Sequence, residues 1–304
     1  MRLVTRSDFD GLVSAALLKE LGIINEMFLT HPKDLQDGKV PITEKDVLVN
    51  VPFVEGCGLW FDHHSSEDER LNLEGKYKGC NKPAPSAARV VYDYYGGEEK
   101  LGKFKELMHA VDKADSAQFS KEDVLDPQGW ELLSFICDPR TGLGYYRDYN
   151  ISNKQLMEQL ADYLRSKSLD EILEEPDVKE RVDRYKDQNE IHKMMLEEHS
   201  KVDGSVVITD FRGFSGIPPG NRHLIYALYP DTNVSIRLVD GFKKQNVSIS
   251  VGYSILNRTA KVDVGSLMLK HGGGGHKAVG TCQVSYDDAD KIIGELVEAI
   301  KVES

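Results

Sequence analysis

Long hydrophobic runs are missing from this 304-residue sequence. No apolar stretch approaches the roughly 18–20 residues that cross a bilayer as a helix, so a membrane partner is not expected. The opening Met1-Arg2-Leu3-Val4 passes straight into acidic residues, without the apolar segment and small-residue cleavage site of a signal peptide. Cysteine is scarce: Cys57, Cys80, Cys137 and Cys282 lie far apart with no C-x-x-C pair, which argues against a disulfide framework or a cysteine zinc site. The expected compartment is the cytoplasm. Lys/Arg-rich blocks are absent too, and acidic residues outnumber basic ones by 50 to 38, for a formal net charge of −12. A protein that grips long duplex nucleic acid normally presents a basic face to many phosphates. The expected ligand is therefore short and phosphorylated, held in a cleft where a few basic groups and a metal dominate. Internal repeats and low-complexity tracts are also lacking.

What is present is ordinary for a globular chain, with 40% hydrophobic and 29% charged residues. The length favours two domains. Leu3-Val4-Thr5, Val47 to Val51 and Leu59-Trp60-Phe61 are continuous apolar runs, the pattern of strands covered on both faces. Between and after them come helical patterns: Leu12 to Leu21 ended by Gly22, Ser86 to Tyr95, and Leu101 to Val111. Strands alternating with helices predict a parallel α/β sheet, whose ligands collect beyond the carboxyl ends of the strands. Asp8, Asn50 and Asp62 all fall at or just past such ends. From Lys154 to Ser200 the chain is polar and helical, read either as a bridge between domains or as a dimerisation segment of a homodimer. After Asp203 short strand signals and three helical patterns, near Asn221–Leu228, after Asp263 and over Asp287–Ile300, predict a second, smaller α/β unit.

Three constellations carry chemistry. Ser7-Asp8-Phe9-Asp10-Gly11 follows a strand and opens a helix. Two carboxylates in one turn repel unless a cation compensates, and hard divalent cations favour oxygen ligands; a solvated acidic cap is the plain alternative. Phe61-Asp62-His63-His64 places two histidines after a strand. A natural division is metal binding by His63, orientation by Asp62, and phosphate contact or proton relay by His64. His271-Gly272-Gly273-Gly274-Gly275-His276 gives up backbone entropy, and it predicts main-chain N–H groups gathered around an anion with His276 beside them; a flexible linker is the alternative.

Together these motifs, in this order and over essentially the whole chain, resemble the DHH phosphoesterase family with its DHH-associated domain. Gly272 to Gly280, read as G-G-G-G-H-K-A-V-G, is close to that family's C-terminal signature, and Asp115-Ser116-Ala117-Gln118-Phe119 resembles its D-T-x-x-F motif, with Asp112 as a substitute. The resemblance implies a DHH domain over 1–175, a helical linker over 176–202 and a DHH-associated, substrate-binding domain over 203–304. It implies metal ligands at Asp8, Asp10, His63 and Asp115, usually for manganese, with Mg²⁺ or another divalent cation as the alternative. Asp62 and His64 then serve the chemistry, and Gly273, Gly274, Gly275 and His276 hold the far end of the substrate together with Arg258 or Arg237. Two departures stand out. Arg6 lies near where many members carry a histidine ligand, and Asn50 stands where a bridging aspartate is usual. One ion or two is therefore open, and Arg6 either replaces the missing positive charge or simply neutralises Asp8. The implied activity is metal-dependent hydrolysis of a phosphodiester or phosphoanhydride in an oligonucleotide, cyclic dinucleotide or polyphosphate. A catalytically silent nucleotide-binding protein is the alternative.

Overall fold

Short apolar runs buried on both faces become the three central strands of the first sheet, flanked by two more exposed edges. In a computed structural model, which describes residues 1–64 and 75–302, these are β1 (Arg2–Thr5), β2 (Glu26–Leu29), β3 (Asp46–Val49), β4 (Leu59–Asp62) and β5 (Gly79–Asn81). Their order is β2-β1-β3-β4-β5, and every pairing is parallel. Thr5 pairs with Val49 and Val49 with Phe61, so the residues that leave β1, β3 and β4 emerge side by side. The helix Phe9–Glu20 is buried from Phe9 through Leu18. It packs against the helices Ala87–Tyr94, Lys105–Asp115 and Asn153–Ser166, which explains its nearly all-apolar sequence. On the other side of the sheet, Trp60 is fully buried with Val4, Leu48 and Val51. Its indole N–H donates to the Val51 carbonyl at 2.9 Å, and Tyr77 meets the ring edge-on with centroids 4.8 Å apart.

Compactness divides the chain into Met1–Gln118 with Pro127–Arg184, and Phe119–Asp126 with Tyr185–Ser304. The division falls inside one 24-residue helix, Pro176–His199. Pro176 opens that helix, as proline can at a first turn where its missing N–H has no partner to lose. The second unit contains β6 (Ser200–Asp203), β7 (Val206–Phe211), β8 (Val234–Asp240), β9 (Val247–Tyr253), β10 (Gly274–His276) and β11 (Val279–Val284), ordered β10-β11-β9-β8-β7-β6. Only the β7–β8 pairing is parallel. One face buries Ile208, Ile236, Ile249 and Cys282 with Val264, Met268, Leu296 and Ile300 from its helices.

The α/β class and two-sheet organisation expected from the sequence are those observed. The strands β2, β5, β6 and β10 carry weak apolar patterns because they are edges, where half the surface needs no burial. No helix among the described residues is long and apolar enough to cross a membrane.

Candidate metal centre

The carboxyl ends of β1, β3 and β4 bring the acidic turn and the double histidine together. Asp8 caps the helix Phe9–Glu20, accepting the Gly11 N–H at 3.0 Å. Gly11 is required by close approach: a Cβ there would lie 2.3 Å from the Arg6 carbonyl oxygen. Asp10, in the first turn, is only 2% exposed. Its two oxygens accept the backbone N–H groups of Ala88 at 2.7 Å and Ala87 at 2.9 Å, where the helix Ala87–Tyr94 begins. Burial holds the Asp10 carboxyl well above the usual carboxylate range, and the Asp115 and Asp8 charges push it further. Asp115, at the end of the helix Lys105–Asp115, is raised by burial as well, with His63 opposing and Asp8 adding. Two buried carboxyls that hold their protons more tightly than usual, Asp10 and Asp115, with a third aspartate beside them, are the electrostatic mark of a cation site.

His63 supplies a more specific sign. Its Nδ1 lies 3.0 Å from the Ala84 carbonyl oxygen. A carbonyl can only accept, so that nitrogen carries a proton and Nε2 is the ring atom left to face the acidic group. Nε2 is buried without a hydrogen-bond partner among the described residues, and it stands 3.3 Å from Asp115 Oδ2. A cation held between or beside these two atoms would satisfy both. Among the described residues, Asp10, His63 and Asp115 form one group able to share an ion, and Asp62, His63 and His64 form another. A divalent ion fits this mixed carboxylate and imidazole set.

Asp62, 2% exposed, accepts the His63 N–H at 2.9 Å and the His64 Nδ1–H at 2.8 Å. That hydrogen bond raises the affinity of His64 for its proton, burial opposing and the Asp62 charge adding. Asp8 is already compensated, since Arg6 Nε lies 3.1 Å from Oδ2 and Asn50 Nδ2 lies 3.2 Å from Oδ1. Asn50 takes a left-handed conformation at φ 57°, which asparagine tolerates better than most residues. Asp112 is engaged elsewhere, bound by Ser86 Oγ at 2.8 Å and by Arg89 through Nε at 2.9 Å. Of the two aspartates weighed from the sequence, Asp115 is the one facing His63. Arg6 lines two clefts, one of about 180 Å³ shared with Asn50, Asp62 and His64, the other of about 560 Å³.

The remaining expected residues lie in the second unit. Gly274 to His276 form the edge strand β10 rather than a loop, paired through Gly274–Thr281, Gly275–Gly280 and His276–Val279. An anion nest needs alternating backbone hands, and an extended strand does not supply them. The glycines have a packing cause instead. Cβ atoms at Gly273 and Gly275 would sit 2.1 and 2.2 Å from the carbonyl oxygens of Thr281 and Val279, whereas one at Gly274 would meet no described atom within 4 Å. Arg237, Ser250, Thr281 and Gly274 occupy one register row across β8, β9, β11 and β10, so they share the polar face of the sheet. Arg237 lies over the Phe211 ring, 5.4 Å from its centroid. Arg258 donates its Nε–H to the Ile255 carbonyl. Sequence reasoning missed the Ala84 carbonyl and the Ala87 and Ala88 N–H groups, which act through backbone and leave no side-chain signal. It also left Arg140 and Tyr145 unremarked.

No family model matches the chain, and no curated protein matches it. Among solved structures it is similar to the pGpG-specific phosphodiesterase PggH from Vibrio cholerae, with 47% identity and a TM-score of 0.89 over 100% of this chain and 99% of that one. An exopolyphosphatase-related protein from Bacteroides fragilis has the same fold at 12% identity and a TM-score of 0.52, over 98% of this chain and 91% of that one.

Proposed function

This chain belongs to the DHH phosphoesterase family, and from that premise we propose that it hydrolyses a short 5′-phosphorylated dinucleotide of the pGpG kind to mononucleotides. The observation that carries the reading is His63 Nε2, without a hydrogen-bond partner among the described residues, facing Asp115 at 3.3 Å beside the buried Asp10. Asp10, His63 and Asp115 would hold one divalent cation. Manganese is favoured because the donor set joins carboxylates to an imidazole, with magnesium as the alternative. Such an ion, when bound, supplies Lewis-acid polarisation of a phosphoryl oxygen and lowers the pKa of a coordinated water.

The chain's own groups do the rest. Arg6 stands as a fixed positive charge facing the scissile phosphate and neutralises Asp8, whose other oxygen accepts from the Asn50 amide, so a second dication is not needed for charge balance. Asp62 fixes the His64 ring through Nδ1 and favours its doubly protonated form, whose Nε2–H protonates the departing oxygen. Water adds to phosphorus and releases a proton to solvent, the bond from phosphorus to the 3′-oxygen breaks, and that oxygen takes the proton of His64. Gly274, with Gly273, Gly275, His276, Arg237 and Arg258, is proposed to hold the distal part of the substrate.

The test is incubation of the purified protein with pGpG and manganese, with the products separated by chromatography and the metal counted by mass spectrometry. Conversion to GMP with one tightly bound ion per chain is expected. Binding without turnover would replace hydrolysis by nucleotide sensing, and two tight ions would refute the role given to Arg6 and Asn50.

A further inference from the structure

The larger cleft beside the metal centre carries chemistry that hydrolysis of a bare phosphodiester does not use. It measures about 560 Å³ and is lined by Arg6, His31, Arg140 and Tyr145, with Leu29 and Pro32 as an apolar wall. Small-molecule sites generally occupy about 300–1,000 Å³, so a nucleotide fits here but not in the neighbouring cleft of about 180 Å³. His31 Nδ1 accepts the Lys33 N–H at 3.1 Å, which fixes the ring and leaves its proton on Nε2 as a donor. Arg140 donates Nε–H to Asp138 Oδ1 at 2.8 Å. That bond uses one edge of a half-exposed guanidinium and leaves the terminal nitrogens for a phosphate.

Tyr145 is 80% exposed, yet its loop is braced. Asp138 caps the turn Pro139–Thr141, and Thr141 Oγ1 donates back to the Asp138 carbonyl at 2.8 Å. Leu143 is buried. Just beyond, Arg184 forks onto Asp148 at 2.6 and 2.7 Å and stacks on Tyr146 at 4.2 Å. A large aromatic surface left open on an anchored loop, next to a phosphate-hydrolysing centre, suits a stacked base.

With Arg6 committed to Asp8 and the scissile phosphate, the terminal nitrogens of Arg140 and the His31 donor are placed to take a second anion. We propose that this cleft binds the 5′-phosphorylated nucleoside of the substrate, with the terminal phosphate on Arg140 and His31 and the base on Tyr145. The inference rests on the function proposed above. It makes Arg140 the residue that distinguishes a 5′-phosphorylated dinucleotide from one ending in a 5′-hydroxyl.

Calorimetry on the full chain, with calcium replacing the catalytic ion to hold turnover back, compares pGpG with GpG. The wild type should prefer pGpG by about 10–100-fold, the weight of charge-assisted hydrogen bonds to one phosphate. Arg140→Ala should abolish that preference by weakening pGpG alone, and Arg140→Lys should restore part of it. Tyr145→Ala should weaken both ligands about tenfold, and Tyr145→Phe should leave them unchanged. Equal affinities in the wild type, no binding of either ligand, or equal losses for both in Arg140→Ala would each overturn the proposal. Turnover of pGpG with manganese is measured alongside. Discrimination without turnover overturns hydrolysis and leaves the subsite standing; turnover without discrimination overturns the subsite alone.

Discussion

Asp10 shows how one side chain can serve packing and chemistry together. From the sequence it is half of an acidic pair, and Asp10→Ala would be expected to remove function and spare the fold. The structure adds that its carboxylate accepts two N–H groups at the start of the helix Ala87–Tyr94. Losing a buried acceptor costs about 1–3 kcal/mol, partly offset by relief of repulsion from Asp8 and Asp115. Among the described residues Asp115 accepts no such backbone bonds, and its side chain is 29% exposed. Asp115→Asn is therefore the cleaner substitution. It should lower manganese affinity and turnover at least tenfold while the melting temperature stays within a few degrees, by calorimetry and metal titration. A melting point that collapses with activity would make Asp115 a packing residue.

At the level of elements, the glycine run divides into positions with different reasons. Gly275 is pressed between β11 and the helix Val264–Leu269: its own Cβ would strike the Val279 carbonyl, and its carbonyl oxygen lies 2.8 Å from where a Cβ on Gly265 would stand. Gly275→Ala should cost about 1–3 kcal/mol by overpacking, read from the denaturation midpoint. Gly274→Ala should leave the midpoint nearly unchanged, because that position opens on the polar face. Equal losses in the two variants would refute this division. The sequence offered the run as an anion nest or a flexible linker. Its packing against β11 was not legible there, since the partner strand is a hairpin whose register only folding sets.

Across the whole molecule, stability should depend on pH through His192. It lies in the second unit on the helix Pro176–His199 and is 6% exposed. Burial, with the Arg237 charge adding, lowers its pKa from 6.5 to about 4. Above pH 6.5 both folded and unfolded chains hold this ring neutral. Between 6.5 and about 4 the unfolded chain takes up a proton that the folded one refuses, so stability falls as pH falls. The loss is complete below the folded value and amounts to at most about 3 kcal/mol. Thermal denaturation at pH 7 and pH 5 should show a smaller difference for His192→Asn than for the wild type. An unchanged difference would mean that other groups carry the acid sensitivity.

The linear chain by itself determined the fold class, the helix starts at Asp8, Ser86 and Asp263, and the candidate residues of the centre. Apolar periodicity, capping chemistry and unusual residue pairs are local properties, written in neighbouring positions. Only the tertiary structure decided that Asp115 rather than Asp112 faces His63, that Arg6 and Asn50 compensate Asp8, and that Arg140 and Tyr145 border the same cleft as His31. Those relations join residues far apart in sequence, and they follow from strand order and helix packing, where charge, burial and distance first act on groups that the chain keeps separate.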